Sequence, residues 1–273
     1  MGAKNQTMNN VVDNFSQILE FAKNYNLPVT KKRAILREFL QSKILEMIYQ
    51  EKTSLHLYFV GGTSLRLLRG LDRFSEDLDF DLGPISYSDI NLLMKKISRR
   101  FKQENISCDL YQNFTKRRAY YELRFRDLLY ELKISPNTDE KLAIKFDFET
   151  FWKGEKKEIL LFNRYGFLVQ IVTVPLNQLL VQKLHAYFAR KETQPRDIYD
   201  LVWLVAQGIK PDAYFMKANK LPQDLVVKAI VKFQKEQKKL PNFQRKLRPF
   251  LIHEANATKL YLFATVFDKI RKS

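Results

Sequence analysis

Asp77 and Asp79 stand two residues apart at the head of the run Asp77-Leu78-Asp79-Phe80-Asp81-Leu82. Side chains i and i+2 of an extended strand share a face. This spacing therefore predicts two carboxylates side by side, with Asp81 in line behind them. Parallel carboxylates repel unless a cation lies between them. Hard oxygen ligands of this kind suit magnesium or manganese held against a triphosphate. Upstream, the apolar stretch Leu57–Val60 runs into Gly61-Gly62-Thr63-Ser64, and 14 residues separate Gly62 from Asp77. Backbone N–H groups of a glycine turn can approach phosphate oxygens closely because no Cβ intrudes. A calcium loop of the EF-hand type is excluded: counted from Asp77, Leu82 stands where that loop needs glycine and Ser88 where it needs glutamate.

A third carboxylate would orient or deprotonate an attacking hydroxyl. Asp147 is the best candidate, because it lies on the polar side of a strand whose other side is Leu142, Ile144, Phe146 and Phe148. Glu149 lies on the same side, further along. The bland alternative is an exposed Asp147 paired with Lys145. Lys183 follows the stripe Leu176, Leu179 and Leu180 and is expected near the sheet, where an ammonium can neutralise a leaving pyrophosphate. Its alternative is a lysine whose stem packs while its amine reaches water. Asp197 begins a helix, where it can cap free N–H groups or hold Arg196 or Lys183. His185 reads as an ordinary packing histidine. Lys228, Lys232, Lys235 and Lys239 recur at helical spacing and predict one basic face, either a polyanion track or a solvated surface.

The elements that must position these groups follow from periodicity. Helices are expected at 11–24 and 33–50, separated by Pro28, then at 64–71 and 88–103. Strands are expected at the approach to Val60 and over 77–82, 119–126, 142–149 and 167–174. Beyond Pro175 the pattern turns helical, with later helices near 198–207, 224–238 and 257–271. The expected domains are 1–174 and a basic helical 175–273. The one cysteine, Cys108, rules out an internal disulfide and a thiolate metal site and favours a reducing, cytoplasmic setting. The N-terminal stretch has no apolar core of a signal peptide, and Gln6 stands where a myristoylation start at Gly2 needs Ser or Thr. No apolar run is long enough to span a bilayer. The net charge is +17, and residues 206–273 carry 15 Lys+Arg against 5 Asp+Glu. Such a field recruits polyanions.

Taken together, GGTSLR, SEDLDF, KFDF, KLHAYFAR and PRDIYDL resemble the AbiEii/AbiGii nucleotidyl transferase toxin family, within the DNA polymerase β-like nucleotidyltransferase superfamily. The resemblance covers roughly residues 35–205; residues 206–273 rest on charge alone. It implies an α+β fold, with a mixed sheet, flanking helices and a helical C-terminal region. It assigns Asp77, Asp79 and Asp147 to the metal and Gly61, Gly62, Thr63, Ser64, Ser75, Lys183 and Arg196 to the nucleotide. Lys183 matches the later basic motif and Asp197 the Arg-Asp motif. The gap between the glycines and the aspartates is at the long end of the superfamily pattern. The implied activity is magnesium-dependent transfer of a nucleoside monophosphate from an NTP to RNA, with the 3′ end of tRNA the expected acceptor. A cognate antitoxin is also implied. Two rival readings are transfer onto a protein side chain and a non-catalytic RNA-binding module, the latter opposed by the intact aspartates.

Overall fold

The computed structural model describes residues 10–115 and 118–272, so Gly2 and Gln6 lie outside the described residues. Its contacts divide the chain into two units. One takes the chain up to Tyr58 with Glu76–Thr150 and Ile159–Val172. The other takes Phe59–Ser75, Phe151–Glu158 and the chain from Thr173 onward.

The first unit is built on a mixed five-stranded sheet in the order β1-β2-β5-β4-β3. The strands are β1 (Leu57–Val60), β2 (Asp77–Leu82), β3 (Cys108–Phe114), β4 (Arg118–Phe125) and β5 (Leu142–Glu149). Period-2 alternation gives each central strand one apolar face. Leu142, Ile144, Phe146 and Phe148 of β5 are buried, as are Ala119, Tyr121, Leu123 and Phe125 of β4. Strand β2 runs parallel to β5 with Leu78 beside Phe146 and Phe80 beside Phe148. The rings of Phe80 and Phe148 stack with centroids 5.0 Å apart. Such a pair adds roughly 0.5–1.5 kcal/mol beyond the area it buries.

Helices Lys32–Tyr49 and Tyr87–Gln103 pack against each other and against this sheet. In the latter, Ile90, Leu93, Met94, Ile97 and Phe101 are all buried, and Phe101 meets Phe125 edge-on at 5.0 Å. That helix begins at a reciprocal cap between Ser86 and Asp89. Two strands were not expected from the sequence. Strand β3 sits at the sheet edge, where several of its residues remain exposed and little apolar alternation is needed. Strand β6 (Glu158–Arg164) joins β7 (Phe167–Thr173) in a separate two-stranded sheet. The expected helix over 11–24 is interrupted at Asn14, giving Asn10–Asp13 and Phe15–Asn24.

The second unit is helical. Leu176–Ala189, Pro195–Ala206, Leu225–Glu236 and Phe263–Lys272 pack in a connected cluster, with Leu180, Leu184, Tyr187, Leu201, Phe233 and Phe263 buried among them. Phe233 and Phe263 stack at 4.4 Å. The expected helix over 257–271 starts as 3-10 turns, Glu254–Leu262, and becomes α-helical only at Phe263. The expected 224–238 helix ends at Glu236 and passes into a 3-10 turn, Gln237–Lys239. Helices Ala213–Ala218 and Leu240–Leu247 were not expected; the latter carries Pro241 in its first turn, where no intrahelical N–H is lost.

Helix Gly61–Arg69 also belongs to this unit. After it, the Phe74 N–H donates to the Phe250 carbonyl at 2.7 Å, and Arg73 pairs with Leu251 in an isolated antiparallel bridge. The segment leading to β2 is thus tied to residues near the C-terminus.

Candidate active site

On the polar face of the first unit's sheet, the parallel register sets Asp77 beside Lys145 and Asp79 beside Asp147. Neighbours across a parallel pair point to the same side, so Asp77, Asp79 and Asp147 share one face. Asp81 follows in the same alternation but is buried, only 5% exposed. Across β5 on its other side, β4 sets Tyr120 beside Asp147 and Glu122 beside Lys145. Asp77, Lys145, Asp147, Tyr120, Arg118, Asn113 and Thr115 line a polar cleft of about 430 Å³.

Arg118 dominates the electrostatics of this cleft. Its guanidinium is ion-paired with Asp147, lies 3.7 Å from Glu149 and stands 5.3 Å from the centroid of the Tyr120 ring. The hydrogen bond to Asp147 raises the pKa of Arg118 above its ordinary value, against the opposing effect of burial. Burial pushes the Glu149 carboxyl up, and the neighbouring charge of Asp147 adds to that. Glu122 accepts a hydrogen bond from the Tyr120 hydroxyl and one from Arg124 at 2.6 Å. Burial alone would raise Glu122, but these two bonds outweigh it and hold its carboxyl below the usual range. Tyr120 moves the other way: burial first, then the Glu122 carboxylate, push its hydroxyl up.

Among the described residues, no group of three or more His, Cys, Asp and Glu side chains is arranged to hold a metal ion. The donor set here fits a cation of a different kind. Magnesium keeps several waters and takes one or two carboxylates together with substrate phosphates. Asp77 and Asp79, with Asp147 beside them, supply oxygen donors of that number and type.

The second unit holds the other residues singled out in the sequence. The Gly-Gly pair is not a free turn. It opens helix Gly61–Arg69 directly, with Gly61 at φ +77, a conformation that L side chains rarely adopt. Thr63 and Ser64 are therefore buried in the first turn of that helix, and the Ser64 hydroxyl donates to the Gly61 carbonyl at 3.1 Å. Gly62 is required for a different reason. A Cβ there would lie 2.6 Å from Arg73 Nη2 and 2.9 Å from Ser75 Oγ.

Arg73 itself is 1% exposed and grips the fully buried Asp200 with Nε at 2.6 Å and Nη2 at 2.7 Å. Lys183 binds the same carboxylate at 2.8 Å. Burial would raise the pKa of Asp200, but the charges of Arg73 and Lys183 prevail and lower it. The expected partner of Lys183 or Arg196 was Asp197; instead buried Asp197 pairs with Arg190. Asp200 takes Lys183 because it lies one turn further along helix Pro195–Ala206. Arg196 is half-exposed. Arg73 and Arg118 are the side chains that sequence reasoning overlooked, and Asp200, weighed there only together with Asp197, proves to be the shared partner of Arg73 and Lys183. Arg73 lies between two of the motif segments and Asp200 within another, yet nothing local signals that they pair.

The four C-terminal lysines do not form one uniform face. Lys228 pairs with Asp224 at 2.9 Å. Lys232 Nζ donates to the carbonyls of Tyr187 (2.6 Å) and Arg190 (2.9 Å) and sits 4.8 Å from the Tyr187 ring centroid. Burial lowers its pKa. Lys235 is exposed, and so is Lys239, which lies in the 3-10 turn after the helix. His185 packs against the rings of Phe151 and Trp152.

Paired aspartates on a mixed sheet with flanking helices are the frame of a nucleotidyltransferase. The pattern that defines the family "Nucleotidyl transferase AbiEii toxin, Type IV TA system" matches residues 43–268, and the chain belongs to this family. The match runs well beyond the motif-bearing 35–205 and takes in the basic C-terminal region. The chain is thus a nucleotidyltransferase toxin, and its family implies a cognate antitoxin.

Solved structures that share its fold include the following two. MenT4, a nucleotidyltransferase toxin from Mycobacterium tuberculosis H37Rv, is 16% identical with TM-score 0.59; the match covers 94% of this chain and 89% of that one. JHP933 from Helicobacter pylori is 19% identical with TM-score 0.54, over 88% of this chain and 94% of that one. No curated protein sequence matches the chain. Among the described residues, no helix is long and apolar enough to cross a membrane.

Proposed function

We propose that this nucleotidyltransferase moves a nucleoside monophosphate from an NTP to the 3′ end of an RNA, with tRNA as acceptor, and releases pyrophosphate. The reading rests above all on the β2–β5 register, which sets Asp147 beside Asp79 on the face that also carries Asp77. Asp77, Asp79 and Asp147 would hold magnesium or manganese, which supplies charge neutralisation for the triphosphate and an activated acceptor hydroxyl. Asp147 orients the hydroxyl and accepts its proton as the oxygen attacks the α-phosphorus. The bond from that phosphorus to the bridging oxygen of pyrophosphate then breaks.

Lys183 answers the triphosphate charge in this reading. Arg73 and Lys183 together face the single carboxylate of Asp200, so this trio retains one net positive charge. A positive excess of that kind favours a polyanion. In this reading Gly61, Gly62, Thr63, Ser64, Ser75 and Arg196 bind the nucleotide, and Asp197 is a catalytic carboxylate. The net +10 of residues 206–273 (15 less 5) draws RNA toward the protein. The reaction would take place in the cytoplasm, where NTP and RNA are both present.

The test is incubation of purified protein with labelled NTPs, magnesium and total RNA, followed by separation of RNA and protein fractions. The wild type should label RNA. Asp79→Asn, checked as folded by circular dichroism, should not. A folded Asp79→Asn protein with near-wild-type turnover would remove the carboxylate assignment, and label confined to protein would remove the RNA acceptor.

A further inference from the structure

We propose that Arg118 is the receptor for an acceptor phosphate, and that its ion pair with Asp147 is a resting contact which the incoming RNA must open. The inference rests on the RNA-acceptor reading and deepens it.

Three observations carry it. The first is a conflict of roles. Asp147 can face an acceptor hydroxyl only if the guanidinium now paired with it moves aside. The pair is partly open, with side chains 46% (Arg118) and 20% (Asp147) exposed, and solvent screens it more than a buried pair. The second is chemistry. A guanidinium fork fits a phosphate as well as a carboxylate, so an RNA phosphate can replace Asp147 in the grip of Arg118 without leaving either group unpaired.

The third is direction. Asp79 lies on one side of Asp147 and Tyr120 on the other, so an acceptor arriving away from the paired aspartates crosses β4 and β3. That side carries the ring of Tyr120 beneath Arg118. It also carries Tyr111, 43% exposed, with the Arg124 guanidinium 4.6 Å from its ring centroid. Aromatic rings interleaved with cations suit the bases and phosphates of a single strand, and favour nucleic acid over an acidic protein segment. Arg124 is the poorer candidate for exchange, because its partner Glu122 is only 13% exposed.

A double-mutant cycle on RNA affinity tests this without turnover. A 5′-labelled single-stranded oligoribonucleotide is titrated, with chelator present and no NTP, into wild type, Asp147→Asn, Arg118→Ala and the double variant. Asp147→Asn removes the close partner of Arg118, leaving Glu149 at 3.7 Å, and should bind roughly tenfold more tightly than wild type. Arg118→Ala should bind more weakly than wild type, with a flatter salt dependence. In the Arg118→Ala background the Asp147→Asn gain should disappear. If the gain persists there, only removal of a negative charge was at work and the proposal fails. It also fails if Arg118→Ala binds as wild type does. Should wild type transfer label to RNA while either result holds, this inference falls and the RNA-acceptor reading stands. Should wild type neither bind nor label RNA, both fall.

Discussion

A single methyl group at Gly62 would collide with Arg73 Nη2 at 2.6 Å and Ser75 Oγ at 2.9 Å. Arg73 cannot yield, because both arms of its fork are fixed on Asp200 in a site closed to water. Gly62→Ala should therefore destabilise the protein by roughly 1–3 kcal/mol, as overpacking does, seen as a lower urea midpoint with unchanged m-value. A midpoint within error of wild type would mean the Arg73 side of the contact relaxes freely.

Asp200→Asn should cost more, about 3–5 kcal/mol at neutral pH, since it leaves two cations facing a neutral amide in a buried site. The pH dependence has a definite sign. The folded-state pKa of Asp200 lies below its ordinary 3.8, so its stabilisation is complete above that value and is lost as pH falls through the lower folded one. The gap in urea midpoint between wild type and Asp200→Asn should be widest at pH 5–7 and should close below pH 3.8. A gap constant across that range would separate the effect from ionisation.

Among the elements, helix Leu176–Ala189 shows how a residue picked out for binding can serve packing instead. Its final carbonyls lack intrahelical partners, and Lys232 from helix Leu225–Glu236 reaches Tyr187 O at 2.6 Å and, just past the helix end, Arg190 O at 2.9 Å. A cation at a partly buried helix C-terminus is worth up to about 2 kcal/mol. Lys232→Met should thus lower thermal stability by an amount in the range of 1–2 kcal/mol, while Lys235→Gln, on an exposed position three residues on, should stay within about 0.5 kcal/mol of wild type. Equal effects at the two sites would show that the carbonyl contacts of Lys232 carry no stability. Helix Gly61–Arg69 teaches a related point. Its glycines were legible as a backbone feature, but the need for Gly62 comes from Arg73, eleven residues later and in a different conformation. Strands β3 and β6 escaped notice because alternation marks a strand only where one face is buried, and both present exposed residues along much of their length.

For the whole molecule, the charge of +17 sets the long-range behaviour toward polyanions. With Lys228 and Lys232 engaged by Asp224 and by backbone carbonyls, the exposed pair Lys235 and Lys239 is what remains of the lysine face for phosphate. Replacing both with Gln should weaken RNA binding across sequences and flatten its log–log salt slope, by up to about 0.7 for each single-strand phosphate no longer neutralised. RNA titrations at several salt concentrations check this, and an unchanged slope would reduce the pair to a solvated surface.

The sequence by itself determined what is local: that Asp77 and Asp79 share a strand face, that Asp147 lies on the polar side of its strand, and where most central strands and helices run. Neighbour-to-neighbour periodicity carries that information, because burial of one face repeats every two or 3.6 residues. The family resemblance was legible for the same reason, being written in short contiguous motifs. Only the tertiary structure decided the pairings. Strand register brought Asp147 beside Asp79 and put Arg118 on Asp147. Packing of the second unit closed Arg73 on Asp200 across 127 residues, and passed Lys183 to Asp200 where Asp197 had been expected. A buried charge must find a partner, but which partner it finds depends on the geometry of segments far apart in the chain. No periodicity within a segment records that choice.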